Sequence, residues 1–172
     1  MERSHVVPLT DAVAASLLVC EIAAQAKASG SSLYKELINL YLDFGFYKEH
    51  LISLTKKGID GLAEINQMMI DLRENPVEEI NGQRVVCIDD YQNSTSLNRI
   101  TNEIEPIAIP KSNVLIYYLE DGSKICARPS GTEPKIKFYI SVNSPLDRAE
   151  HYPAVKTALA LKINNILKEI AL

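Results

Sequence analysis

Tryptophan is absent from the 172 residues, and cysteine occurs only three times. Cys20, Cys87 and Cys126 lie far apart, with no CxxC spacing and no neighbouring histidine at a metal-ligand interval. That excludes a disulfide framework and a zinc knuckle, and leaves the reading of buried thiols in a reducing compartment. Long apolar runs are missing too. The longest, Ala12 to Cys20, is closed by Glu21 and falls well short of the roughly 20 residues that a membrane span needs. Glu2, Arg3 and Asp11 precede it and no small-residue cleavage site follows. Neither a signal peptide nor a membrane contact is expected, and the expected location is cytoplasmic. Excess positive charge is also lacking: 18 Lys and Arg stand against 22 Asp and Glu, a net charge of −4. A general nucleic-acid or anionic-membrane binder would be basic, so any anion site must be a local gathering of cations.

What is present suits a folded domain, since 47% apolar and 23% charged residues can build a core with a charged surface. Thr10 as N-cap and Asp11 in the first turn open a helix with Val13, Leu17, Cys20 and Ala24 on one face, and Ser29-Gly30 ends it. Ser31 or Ser32 caps a second helix, with Leu33, Leu37, Leu40, Tyr41 and Phe44 inward and Gly45 as the stop. After a Lys- and Gly-rich loop, a third helix carries Leu62, Ile65, Met69 and Leu72 and ends at Asn75-Pro76.

Beyond Pro76 the period becomes strand-like. Strands are expected at Arg84–Ile88, Val114–Leu119, Lys124–Ala127 and Lys135–Val142, with a loop from Asp89 to Asn102. Asp121-Gly122 fits a two-residue type I′ hairpin turn. In the last strand Ile136, Phe138, Ile140 and Val142 share one face, and Lys135, Lys137, Tyr139 and Ser141 the other. Pro145 introduces a final helix with Tyr152, Val155, Leu159, Ile163, Ile166, Leu167 and Ile170 inward. The expected class is α+β: an antiparallel sheet with helices packed on it from residue 80 to 172, preceded by a mostly helical portion, residues 1 to 79. Three wide apolar stripes there call for a sheet that those residues do not clearly supply.

The segment with chemistry is Arg128-Pro129-Ser130-Gly131-Thr132-Glu133-Pro134, between two strands. A guanidinium offers a planar fork to phosphate oxygens. Ser130 and Thr132 bring hydroxyls, and Gly131 lets the backbone turn so that N–H groups converge on an anion. Pro129 and Pro134 stiffen both ends. Lys137 projects to the same face as Lys135, and Lys124 can add to the field. Glu133 fits either ligand contact or a supporting role, orienting Arg128 or capping the loop. On residue types alone, an anion site and a plain solvated turn both remain open.

The run Arg128 to Tyr139 closely resembles the phosphate-binding signature in the C-terminal part of the α-D-phosphohexomutases, the phosphoglucomutase and phosphomannomutase family. Leu18-Val19-Cys20-Glu21-Ile22-Ala23, Ser32-Leu33-Tyr34, Tyr41 to Tyr47, Ser53-Leu54-Thr55-Lys56-Lys57-Gly58, Asn75-Pro76, Asp89-Asp90-Tyr91-Gln92 and Leu119-Glu120-Asp121-Gly122-Ser123 resemble that family as well. The details are most similar to the bacterial phosphoglucomutase branch that includes phosphopentomutase-like enzymes, and the resemblance covers about residues 11 to 142.

The resemblance implies a four-domain enzyme that moves a phosphoryl group between two positions of a sugar. A phosphoserine donates the group, a hexose bisphosphate is the intermediate, and Mg²⁺ assists. The fourth domain grips the phosphate that is not transferred. Residue by residue, it implies phosphate contact by Arg128, Ser130, Gly131 and Thr132, with Lys137 as a further cation. No serine here stands in the family's phosphoserine context, Asp89-Asp90 is followed by Tyr91 instead of forming an Asp-Gly-Asp metal loop, and the Gly-Glu-Glu sugar loop is absent. Pro8-Leu9-Thr10-Asp11 replaces a lysine-containing run. The expectation is therefore the tail of the third mutase domain (residues 1–79) and the entire fourth (residues 80–172), with no catalytic residue and no metal ligand of its own. Its partners would be a phosphosugar and the missing N-terminal domains, with no nucleic acid or membrane, and the fragment would be inactive alone. The alternative is a stand-alone phosphosugar-binding or regulatory module without catalysis.

Overall fold

The computed structural model describes residues 12–58 and 60–170; the expected Thr10 cap, Asp11 and the Pro8–Asp11 stretch lie outside them. The chain forms two compact units. One holds the described residues up to Gly45 with Pro145–Tyr152; the other holds Phe46–Ser144 and the chain from Pro153.

In the first unit, α1 (Ala12–Ala28) is built from strong helix formers. It ends where expected: Gly30 takes φ 72°, its N–H donates to the Lys27 carbonyl at 3.1 Å, and the Ser31 N–H donates to Ala26 at 2.7 Å. Those paired bonds close a helix C-terminus in a Schellman motif. Of the two candidate serines, Ser32 caps α2 (Leu33–Phe44), accepting from the Lys35 N–H, and Gly45 at φ 89° stops it. The Tyr152 ring stacks on Tyr41 and meets Tyr34 edge-on, centroids 6.1 and 6.0 Å apart. The expected inward stripe of α2 is not buried: Leu33, Leu37, Leu40 and Phe44 are exposed, as are Val13 and Leu17 of α1, while Ala26 and Ile38 are covered. Two helices meet along one narrow seam, and the described residues of this unit include no sheet to take the rest of each stripe. Cys20 is likewise exposed and Cys87 and Cys126 are half-buried, so the thiols are free but none is fully buried as the sequence suggested.

The second unit is an antiparallel sheet with helices, as the sequence pattern implied. Its strands are β1 (Phe46–Thr55), β2 (Glu79–Ile80), β3 (Gln83–Asp90), β4 (Thr95–Asn98), β5 (Ile104–Pro106), β6 (Leu115–Leu119), β7 (Lys124–Pro129) and β8 (Lys135–Ser144), in the order β1-β8-β7-β6-β3-β4-β5 with β2 beside β3. Four strands fall where none was expected: β1, the short β2 and β5, and β4. β1 lies in the portion read as helical and pairs with all of β8, from Phe46 opposite Ser144 to Thr55 opposite Lys135. β4 lies in the stretch from Asp89 to Asn102 read as loop. The β6–β7 turn also differs. Gly122 takes φ 80° while Asp121 does not adopt positive φ, and the Gly122 N–H donates to Leu119. This is a three-residue loop with a left-handed glycine at its end, rather than a two-residue type I′ turn.

Alternation in β8 is as read: Ile136, Phe138, Ile140 and Val142 are fully buried. They face α3 (Gly61–Glu74), which buries Ile65 and Met69 but leaves Leu62 exposed, and α4 (Tyr152–Ile170), which buries Leu159, Ile163 and Ile166. A three-residue 3₁₀ turn, Ala149–His151, precedes α4. The Arg73–Asp90 pair ties α3 to the end of β3: Arg73 Nε donates to Asp90 Oδ1 at 3.1 Å, and Asp90 also accepts from the Gln92 N–H and Asn93 Nδ2. Burial raises Tyr117 to about 12, and its hydroxyl donates to the Leu72 carbonyl at 2.6 Å. The fully buried side chains of β8 thus lie on one side of the sheet. The other side carries the polar row of β8 and β7.

Candidate anion site at the β7–β8 connection

Arg128 and Lys137 are directly opposite each other on β7 and β8. Directly opposed residues of an antiparallel pair share a face, and two like charges there repel. Neither cation has an ion-pair partner among the described residues; the ion pairs of the second unit involve Lys56, Arg73, Arg84, Arg99, Lys135 and Lys162. The pair therefore presents an uncompensated field on the open face of the sheet. Lys124 lies on the same face of β7 and is exposed. Cys126, between Lys124 and Arg128, registers this field: burial pushes its thiol up, and both cations pull against that rise.

The connecting loop is held from inside. The Ser130 N–H donates to the Lys135 carbonyl at 2.8 Å, and the Lys135 N–H to Glu133 at 2.7 Å. The N–H groups of Thr132 and Glu133 both point at Ser130 Oγ, at 3.4 and 3.3 Å. Two backbone donors thus converge on one oxygen position, but through the serine turn. Gly131 does not take a left-handed φ, and a Cβ there would meet nothing within 4 Å. Its contribution is open space beside the converging donors.

The loop is also braced from outside. The Lys56 N–H, just past β1, donates to the Pro134 carbonyl at 2.9 Å. Gly61, opening α3, sits so close that a Cβ would lie 2.8 Å from the Lys56 carbonyl oxygen and 3.1 Å from Pro134 Cβ. Sequence reading missed this brace.

The space framed by the loop is a cleft of about 220 Å³ lined by Arg128, Ser130, Gly131, Glu133, Lys135 and Lys137, with Pro129 behind. Of the five residues singled out from sequence, Arg128, Ser130, Gly131 and Lys137 are brought together in it, while Thr132 is not among its lining. Lys135 was not singled out, although its spacing from Lys137 on one strand face was the signal. Glu133 pairs with Lys135 Nζ at 2.8 Å rather than orienting Arg128. A preorganised cleft with three cations, a hydroxyl and convergent amides can hold a tetrahedral oxyanion.

Among the described residues, no group of three or more His, Cys, Asp and Glu side chains is placed to hold a metal ion. The described residues therefore offer no fitting ligand set for the Mg²⁺ that the resemblance implies. No single described helix is long and apolar enough to cross a membrane.

Comparison with known proteins finds no matching family model. Curated relatives do match. Over 135 residues the chain is 38% identical to phosphoglucomutases of Staphylococcus aureus strains USA300 and NCTC 8325 / PS 47, covering 78% of this chain and 24% of each relative. The strain N315 phosphoglucomutase is 37% identical over the same length. The chain thus spans about a quarter of the length of the curated relatives it matches. Among solved structures, the open form of parafusin, a phosphoglucomutase and exocytosis-sensitive phosphoprotein from Paramecium, aligns with 80% of this chain and 23% of its own, at 14% identity and a TM-score of 0.42. The sequence similarity to the S. aureus enzymes supports the C-terminal region of the α-D-phosphohexomutases as the family to which this chain is related.

Proposed function

We propose that this chain is a C-terminal part of a phosphosugar mutase of the glucose 1-phosphate/glucose 6-phosphate type, supplying the clamp for the phosphate that is not transferred. The observation that carries this reading is the opposed, unpaired Arg128 and Lys137 beside a loop whose amides already converge. In phosphoryl transfer the protein works mainly by positioning and by stabilising charge. Arg128 and Lys137 would neutralise the dianion, and Ser130 would exchange its internal bonds for a phosphate oxygen. Gly131 would leave room for the ligand, and Thr132 would contribute its N–H. A sugar presented in two orientations needs a grip on phosphate alone, which such a group set provides.

We further propose that two mutase domains are represented, the third and the fourth, with their boundary at Gly45 rather than near Glu79. Support for the shift comes from β1, which pairs along its full length with β8. The chain alone is proposed to be inactive, with phosphoserine, Mg²⁺ and the sugar-reading loop supplied by the remaining domains in the cytoplasm.

Titration of the chain with glucose 1-phosphate, following the amides of residues 128–137, tests the reading. Those amides should shift at millimolar ligand, and Arg128→Ala should weaken binding by about 1–3 kcal/mol, the range for losing a charge-assisted hydrogen-bonding group. Unmoved amides, or an affinity indifferent to Arg128→Ala, would refute the clamp.

A further inference from the structure

The cleft contains one anionic side chain among its cations, and it belongs to the loop itself. Glu133 lines the same space as Arg128, Lys135 and Lys137, and Lys135 Nζ holds its Oε1 at 2.8 Å. The pair stands in water at the rim, with side chains 56% and 34% exposed. Pairs in such settings contribute little to stability, so holding the fold together is a weak account of it. For binding bare phosphate the carboxylate is a handicap, because it repels the dianion it faces. Its chemistry suits discrimination instead. An ionised carboxylate only accepts hydrogen bonds, so it takes a hydroxyl of a ligand and repels a carboxylate or second phosphate in the same place. Building repulsion against a wrong ligand is as effective for specificity as adding attraction for the right one.

We propose that Glu133, pinned by Lys135, is a specificity-determining residue of the cleft: it accepts a hydrogen bond from a hydroxyl adjacent to the bound phosphate and rejects phosphate esters with a second anionic group at that position. The ligand class is a phosphate monoester on a hydroxyl-rich, otherwise uncharged carbon skeleton. A phosphate at the far end of a sugar ring lies outside this reach. The proposal rests on the phosphate-clamp reading above and adds the selection that the cations cannot make.

The test is titration of the 172-residue chain with inorganic phosphate, glucose 1-phosphate and phosphoglycolate, whose carboxylate stands where the sugar carries its adjacent hydroxyl, comparing wild type with Glu133→Gln. Glutamine keeps the size and removes the charge. The expected result is tighter phosphoglycolate binding, with glucose 1-phosphate unchanged or weaker. The ratio of the two affinities should fall about fivefold, equivalent to about 1 kcal/mol. An equal change for all three ligands, or none, overturns the proposal. If glutamine disturbs the loop amides in the absence of ligand, Glu133→Ala is compared instead, with the same ratio as readout. Arg128→Ala separates the two claims. If it weakens all three ligands while Glu133→Gln moves them equally, only the selectivity proposal falls; if it weakens none, the clamp itself falls.

Discussion

Replacing Gly61 by alanine should injure both the fold and the anion cleft, although Gly61 lines no part of the cleft. The added Cβ would lie 2.8 Å from the Lys56 carbonyl oxygen and 3.1 Å from Pro134 Cβ. Neither neighbour can swing aside: one is backbone, and the other is a ring whose own carbonyl is held by the Lys56 N–H. Relief requires α3 to move off the loop by a few tenths of an ångström or more. Overpacking of this kind costs about 1–3 kcal/mol, and alanine's better helix propensity recovers up to about 1 kcal/mol of it. A net loss of about 1–2 kcal/mol would lower the thermal midpoint by about 2–8 °C for a chain of this size. Because α3 would move away from Pro134, the loop should lose its brace, and phosphate affinity should fall together with stability. Gly131→Ala is the contrast. Its Cβ meets nothing, so the midpoint should hold while the ligand loses the space it needs. Differential scanning calorimetry with phosphate titration of both variants decides the matter. If Gly61→Ala keeps both the wild-type midpoint and the wild-type affinity, the brace has been misread.

Two further outcomes follow from the second unit. Asp90→Ala leaves Arg73 nearly buried without its carboxylate. It should lose about 3–5 kcal/mol in urea unfolding, whereas Arg73→Met combined with Asp90→Ala should lose less; a double variant as unstable as the sum of the singles would deny the coupling. Asp121 pairs with Lys162. Burial pushes its carboxyl up, but the hydrogen bonds from Lys162 and Ser123 outweigh that and hold it below the ordinary carboxylate range. A depressed folded value means stability that is complete above the unfolded value, near 4, and is lost as pH falls through the folded one. Asp121→Asn should therefore be less stable than wild type at pH 7, and the gap should close toward pH 2. A gap that stays constant with pH would refute this assignment.

The parts of the molecule that could be read from sequence are those whose cause is local. β8 announced itself because one face is fully buried and the other is not, which preserves a strict period of two. The residues of the cleft lie on two adjacent strand ends and the short turn between them, so residue type and spacing were enough to gather Arg128, Ser130, Gly131 and Lys137. β1 was hidden for the opposite reason. It is an edge strand with Lys48, Glu49 and His50 at its centre and most of its residues at least half-exposed, as edge strands often are, so alternation is blurred. β4 is short and uniformly half-buried, which leaves no pattern to read. The same division runs through the site. Gly61 reads as an ordinary helix start, and nothing near it in sequence mentions Pro134. Only once β1 is placed beside β8 does Lys56 come level with the end of the loop. The strand that sequence reading lost is thus the one that carries the brace to the cleft, and missing the first made the second unreadable.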